Sequence, residues 1–279
     1  MNDEAEQSVS RFYSETGWET VGEITEDARR YDDLREHAKA YVSKCRLRVL
    51  RHIPPCGENL LDMASGPIQY DEYLEYSRHF KKRYCVDLSA KALEAAHRRI
   101  GSHGVFLHGS FLDIPMEENF FDCTISLHTI YHIDADKQEE AVRKLIHVTK
   151  PGKPVIVVYG SSVRSRVAWF FESRLRLFVR ARATRTPGSR ARARDRVGGA
   201  TLYAYTHPLG WWQRFSGIAT VTILPWRSFA SHIQKKLIPN NRIGAKMFEV
   251  LFNLEERFPG LFAKHGKYPM IILTKRPGQ

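Results

Sequence analysis

At 279 residues, 43% of them hydrophobic, the chain is long enough to bury the core of one large α/β domain, and its composition argues against wholesale disorder. No apolar run approaches a membrane span, the start MNDEAEQSVSRF lacks the features of a signal peptide, and Cys45, Cys56, Cys85 and Cys123 form no CxxC pair; a disulfide framework and a metal site are not expected, and a reducing cytoplasm is. Most of the formal charge of +12 sits in one place: residues 160–200 hold eleven arginines against Glu172 and Asp195, a local excess of nine, so the charge says little about the rest of the surface.

In chain order, residues 22–53 read as helical, with Tyr31, Leu34, Ala38, Tyr41 and Val42 at three- and four-residue spacing before Pro54, Pro55 and Gly57 stop the pattern. A buried strand at 59–63 runs into the turn Ala64-Ser65-Gly66-Pro67. A helix at 72–79, a strand at 83–87 and a helix at 91–100 capped by Ser89 follow. Strands at 105–108, 122–127 and 155–159 complete the pattern, with a helix at 136–148 before the last of them. Apolar strands that do not alternate, separated by helices, predict a parallel sheet covered on both faces.

Beyond Tyr159, residues 162–182 read as a basic amphipathic helix and 184–199 as a mobile, polar, arginine-rich loop. Residues 201–205 are β-prone, 207–215 and 242–257 are helical, and 220–224 and 268–274 are strands. The expected divisions are a helical cap at 1–54, a ligand-binding core at 55–160, a basic insertion or lid at 161–200, and a completion of the sheet at 201–279 that brings acceptor-site elements.

In an open parallel sheet, ligands bind beyond the carboxyl ends of the strands. The first core strand delivers Asp62 and then small residues, which let backbone amides approach a ligand closely. The second ends in Asp87, whose carboxylate is placed to accept hydrogen bonds from both hydroxyls of a ribose. Together they point to an adenosine-containing ligand.

Leu60-Leu61-Asp62-Met63-Ala64-Ser65-Gly66-Pro67 resembles motif I of the class I S-adenosylmethionine-dependent methyltransferases, and Val86-Asp87-Leu88-Ser89 resembles their acidic ribose-binding motif. Gly109-Ser110-Phe111-Leu112-Asp113-Ile114-Pro115 resembles their adenine-contacting segment. Residues 120–126 with 128–132 look like motif IV, and 145–158 like the helix–Lys-Pro-Gly–strand unit after it. The resemblance spans about residues 55–160 in order. It implies a Rossmann-like three-layer sandwich with a seven-stranded, mostly parallel sheet, its last strand antiparallel, and an insertion after the fifth strand. It also implies S-adenosylmethionine as cofactor, with Asp62, Ala64, Ser65, Gly66, Pro67, Asp87, Leu88, Ser110, Phe111, Leu127 and His128 around it. The order Ser-Gly-Pro-x-x-Tyr is similar to the loop of the nicotinamide and phenylethanolamine N-methyltransferases, which adds Tyr70.

The sequence departs from the family at three points: Ala64 and Ile68 replace the first and third glycines of motif I, and Ser110 stands where an acid is usual. A tight turn survives at Ala64 if its φ stays negative. His132 is the expected base or acceptor-orienting group, with His128 lining the methionine end of the cofactor. Tyr13 and Trp18 are expected to cap the site, and Arg30 or Tyr31 to reach the methionine carboxylate.

The expected activity is methyl transfer to an oxygen or nitrogen of a small molecule, such as a secondary metabolite, a glycan or a lipid precursor. The basic insertion has three readings: a lid recognising an anionic acceptor, a peripheral membrane contact through 162–196, or a solvated face. Nucleic acid is disfavoured because Ser126-Leu127-His128-Thr129 lacks an Asn-Pro-Pro-Tyr-like motif. RNA methylation through the arginine loop and a non-catalytic scaffold are the competing readings; an NAD-dependent dehydrogenase is the weaker one, for want of Gly-x-Gly-x-x-Gly. The sequence leaves the oligomeric state open.

Overall fold

The computed structural model describes residues 4–21, 24–161, 195–197 and 200–278. The basic helix expected at 162–182, and the lid, membrane-contact and RNA-tracking readings of the arginine-rich loop, lie outside the described residues.

Seven strands form one sheet: β1 (Gly57–Met63), β2 (Phe80–Asp87), β3 (Gly104–His108), β4 (Cys123–Leu127), β5 (Pro154–Val158), β6 (Ala219–Arg227) and β7 (Tyr268–Lys275). Their spatial order is β6-β7-β5-β4-β1-β2-β3. Only β7 runs against the rest, antiparallel to both β6 and β5, while the remaining pairs are parallel. This is the expected Rossmann-like sheet with its last strand inserted antiparallel. The direction of winding reverses between β1 and β4, so the loops leaving these two strands diverge and open a crevice at the carboxyl edge.

Both faces of the sheet are covered, which explains why its strands are continuously apolar. On one face Leu60, Ile125, Ile156 and Ile272 pack under α3 (Glu36–Leu47) and α8 (Arg242–Arg257). On the other, Leu61, Val155, Val157 and Ile271 pack under α6 (Gln138–Val148) and the 3-10 turn Leu209–Phe215. That turn replaces the α-helix expected at 207–215. The helix α5 (Ala90–Ile100) starts as expected, with Ser89 Oγ accepting from the Ala92 amide at 3.3 Å.

The expected single helix over 22–53 is broken. A hairpin of Thr20–Val21 with Ile24–Thr25 leads into α2 (Glu26–Tyr31), capped by Thr25 Oγ1 on the Ala28 amide, and then into α3. The break falls where Asp33 accepts from the Arg35 amide at 3.3 Å and pairs with its guanidinium at 2.6 Å. A short acid that bonds its own backbone competes with the helix ladder. α1 (Glu4–Phe12) precedes the hairpin, and α4 (Asp71–Glu75) is shorter than the helix expected at 72–79. Two short helices, α7 (Ser231–Leu237) and α9 (Pro259–His265), carry too few turns to leave a periodic signal.

Candidate active site

The turn after β1 adopts the glycine conformation without the glycines. Ala64, Gly66 and Ile68 have φ of 57°, 55° and 52°, so the condition set for Ala64, a negative φ, is not met and the turn forms all the same. A left-handed non-glycine residue costs about 1–2 kcal/mol, and the surroundings hold the turn against that cost. Asp87 Oδ2 accepts from the Gly66 amide at 2.8 Å, Ser65 donates its amide to the Val86 carbonyl at 3.1 Å, and Ile68 is fully buried against Cys85, Leu93 and Ala96. At Gly66 a side chain is excluded twice, by φ and because its Cβ would lie 2.9 Å from the Trp18 ring.

Asp87 ends β2 and is the hub of the crevice. Its second oxygen accepts from the Ser89 amide at 2.9 Å. Burial pushes its pKa up to about 6 although both backbone donors pull the other way. Around it lies a cavity lined by Met63, Ala64, Val86, Leu88, Ser110, Phe111 and His132, with further wall from Glu6 and Val9 of α1. The arrangement fits an adenosine: an acceptor carboxylate, an apolar slot, and the small Ala64 of the turn in its wall. Ser110 Oγ donates to Glu6 Oε2 at 3.0 Å, so a carboxylate from α1 stands beside the position where the family usually has its acid.

Several expected site residues are elsewhere. Asp62 faces the α3 side of the sheet and is consumed by Arg83 of the next strand, at 3.1 Å to Nε and 2.5 Å to Nη2. The pleat explains this: side chains alternate along β1, so Met63 rather than Asp62 reaches the cavity. Ser65 Oγ bonds the Gly66 carbonyl, Pro67 is buried, and Leu127 packs into the α3-side core. Tyr70 Oη donates to Asp32 at 2.5 Å, and its ring lies 3.2 Å under the Arg46 guanidinium. None of these lines the cavity around Asp87.

His128 leaves β4 with φ 62° and lodges edge-on against Trp226 at 4.6 Å and Tyr268 at 5.2 Å. Burial, then the Arg227 charge, lowers its pKa to about 3. It packs in that aromatic box rather than in the cavity. His132 does line the cavity. Its Nδ1 lies 2.7 Å from the Tyr203 carbonyl, which can only accept, so Nδ1 carries the proton and Nε2 a lone pair. Burial holds its pKa near 4.

The N-terminal segment covers the crevice. Tyr13 stacks on Trp18 at 4.9 Å, and Trp18 in turn lies over Gly66. The Tyr13 hydroxyl is directed to Asp27 Oδ1 at 3.5 Å, and burial raises its pKa well above the ordinary value; its ring supports the Trp18 cover and does not line the cavity. Arg30 is paired to Glu26 at 2.7 Å. Sequence reasoning did not single out Glu6, Val9, Thr129, Ile133 and Asp134, which also line the cavity; the apolar spacing of Val9 and Phe12 was the available signal for α1.

Residues 61–157 match the family model described as a methyltransferase domain. No curated protein sequence matches the chain. Among solved structures, DhpI in complex with S-adenosylhomocysteine superposes with a TM-score of 0.56 at 13% identity, covering 99% of this chain and 100% of that one. Geranyl diphosphate C-methyltransferase from Streptomyces coelicolor A3(2) gives 0.54 at 13%, with 98% and 99% covered. Phosphoethanolamine N-methyltransferase 1 of Haemonchus contortus gives 0.53 at 10%, with 100% of this chain and 51% of that chain covered. The matched segment, the strand order and the cradle at the carboxyl edge agree, and the chain has the Rossmann-like fold of the methyltransferases on which it superposes.

Proposed function

We propose that this chain is an S-adenosylmethionine-dependent methyltransferase acting on an oxygen or nitrogen atom of a small-molecule acceptor, with His132 as the base that takes the acceptor proton. The observation that carries the reading is the His132 geometry: a fixed tautomer whose free nitrogen belongs to a side chain in the wall of the cavity. When bound, S-adenosylmethionine supplies a methyl group already activated on a sulfonium. The chain must then hold the cofactor, exclude water and align the acceptor.

Asp87 would accept from the ribose hydroxyls with the lone pairs that Gly66 and Ser89 leave free, and Ser110 with Phe111 would flank the adenine. The cover of Tyr13 and Trp18 would keep water from the reacting atoms. A histidine held near pKa 4 is neutral at pH 7 and a weak base. It suits late proton removal, from an acceptor made acidic by the new bond, rather than prior ionisation of a neutral hydroxyl. A small acceptor is in keeping with two fold neighbours whose names specify geranyl diphosphate and phosphoethanolamine.

The test is turnover of a small-molecule acceptor panel by wild type and His132→Ala, beside calorimetric titration of both with S-adenosylhomocysteine. The expected result is a rate about 100- to 10,000-fold lower in the variant with unchanged cofactor affinity. Equal rates would remove His132 from the chemistry.

A further inference from the structure

We propose that Arg227 seats an anionic group of the methyl acceptor, a phosphate or a carboxylate; this rests on the small-acceptor reading above and names the substrate class. Arg227 is the last residue of β6, and the ladder with β7 shifts register between Pro225 and Arg227. Such a bulge re-aims a side chain, and here the guanidinium lies 5.2 Å over Trp226 and 4.8 Å over Tyr268. The residue is 3% exposed. Its Nε has no partner, and Nη1 reaches Asp32 Oδ1 only at 3.5 Å.

Asp32 is already engaged elsewhere. Its other oxygen accepts from Tyr70 Oη at 2.5 Å and from Arg46 Nη2 at 3.1 Å, and Arg46 has Glu72 as well at 3.7 Å. Two buried guanidinium groups therefore share one carboxylate, and Arg227 holds the poorer share. Two other buried arginines are better served, whereas Arg46, which shares Asp32, also leaves its Nε without a partner. Arg83 donates twice to Asp62 and once to the Tyr73 carbonyl. Arg48 pairs with Glu255 and Glu256 and donates to the Trp226 carbonyl. A buried charge without adequate partners is strongly destabilising, and the Arg227–Arg46 pair around Asp32 is short of acceptors, so an outside anion at the Arg227 fork would complete the set.

Position supports the assignment. Arg227 ends β6, Tyr268 begins the antiparallel β7 and His128 follows β4, so all three stand at the carboxyl edge, on the opposite side of β1 from Asp87. His128, packed against the same two rings, stays neutral, so Arg227 is the cation of this box. An anionic group there would take the fork and free Asp32 to Tyr70 and Arg46.

The test titrates the full chain, loaded with S-adenosylhomocysteine, with inorganic phosphate and with acetate, against chloride of equal ionic strength. Saturable binding of one probe is expected, and the tighter probe identifies the group. Arg227→Lys should weaken that binding at least about tenfold, by loss of the fork, and leave S-adenosylhomocysteine affinity unchanged, while Arg98→Gln on the exposed surface changes neither. Asp32→Asn, which removes the competing carboxylate, should tighten anion binding and keeps the test decisive if Arg227→Lys fails to fold. The proposal is overturned if neither probe saturates, if Arg227→Lys binds the anion as wild type does, if Asp32→Asn leaves anion affinity unchanged, or if Arg227→Lys weakens the cofactor product instead. Failure of the small-acceptor reading would show separately, as absent turnover with the anion still bound.

Discussion

Asp87 carries two loads at once: it fixes the turn through Gly66 and offers its carboxylate to the crevice. The first load explains how Ala64 and Ile68 tolerate the left-handed region, because the turn is held from outside by a buried acceptor rather than by glycine's freedom. The second makes cofactor binding sensitive to acid. With a pKa near 6 in the free protein, Asp87 is largely ionised at pH 8 and protonated at pH 5. Ribose hydroxyls donate to the ionised form, so bound cofactor favours deprotonation. S-adenosylhomocysteine affinity should be flat above pH 7 and fall below pH 6, by at most about tenfold per unit. His132, neutral down to about pH 4, adds no break in that window. Asp87→Asn should bind weakly at pH 8 and show no such fall; a wild-type profile flat from pH 5 to 8 would remove Asp87 from the contact.

The N-terminal cover is an element whose stability depends on a second raised carboxyl. Asp27 of α2 receives the Tyr13 hydroxyl, and burial, then the neighbouring charge of Asp32, raises its pKa to about 7. The unfolded chain releases this proton near pH 3.9. Between those values the folded protein holds a proton that the unfolded one has lost, so stability falls as pH rises through the window. Asp27→Asn removes the titration and still accepts the Tyr13 hydroxyl. Its thermal midpoint should exceed that of wild type at pH 8 and approach it at pH 4. The gain at pH 8 should be on the order of 1–2 kcal/mol once the partial exposure of Asp27 is discounted. A midpoint difference that does not change with pH would show that Asp27 ionises normally.

At the scale of the whole molecule, what was legible in the sequence followed how local its cause was. The seven strands and the Ser89 cap could be read because apolar runs and caps are local patterns. Asp62 was misplaced because face assignment needs the pleat and the partner strand, where Arg83 waits 21 residues away. The pairing of Asp32 with Arg227 joins residues 195 apart and left no local trace. The role of α1 belongs with these: Val9 and Phe12 pack with Leu202 in a small cluster of their own, and among the described side chains those of residues 6–19 take no part in the three clusters that hold the sheet. What α1 and the turn after it do touch is the crevice, through Glu6 on Ser110 and Trp18 on Gly66. Removing residues 1–19 should therefore leave a chain that unfolds cooperatively with a midpoint only slightly lowered, because stability resides where apolar area is buried. The same deletion should weaken S-adenosylhomocysteine binding about tenfold or more, since a wall and an indole cover are lost and each 1.4 kcal/mol of contact is a factor of ten. Calorimetry with a parallel thermal melt separates the outcomes. Unchanged affinity would mean that the segment merely packs on the surface, whereas loss of the cooperative transition would make it part of the folding core.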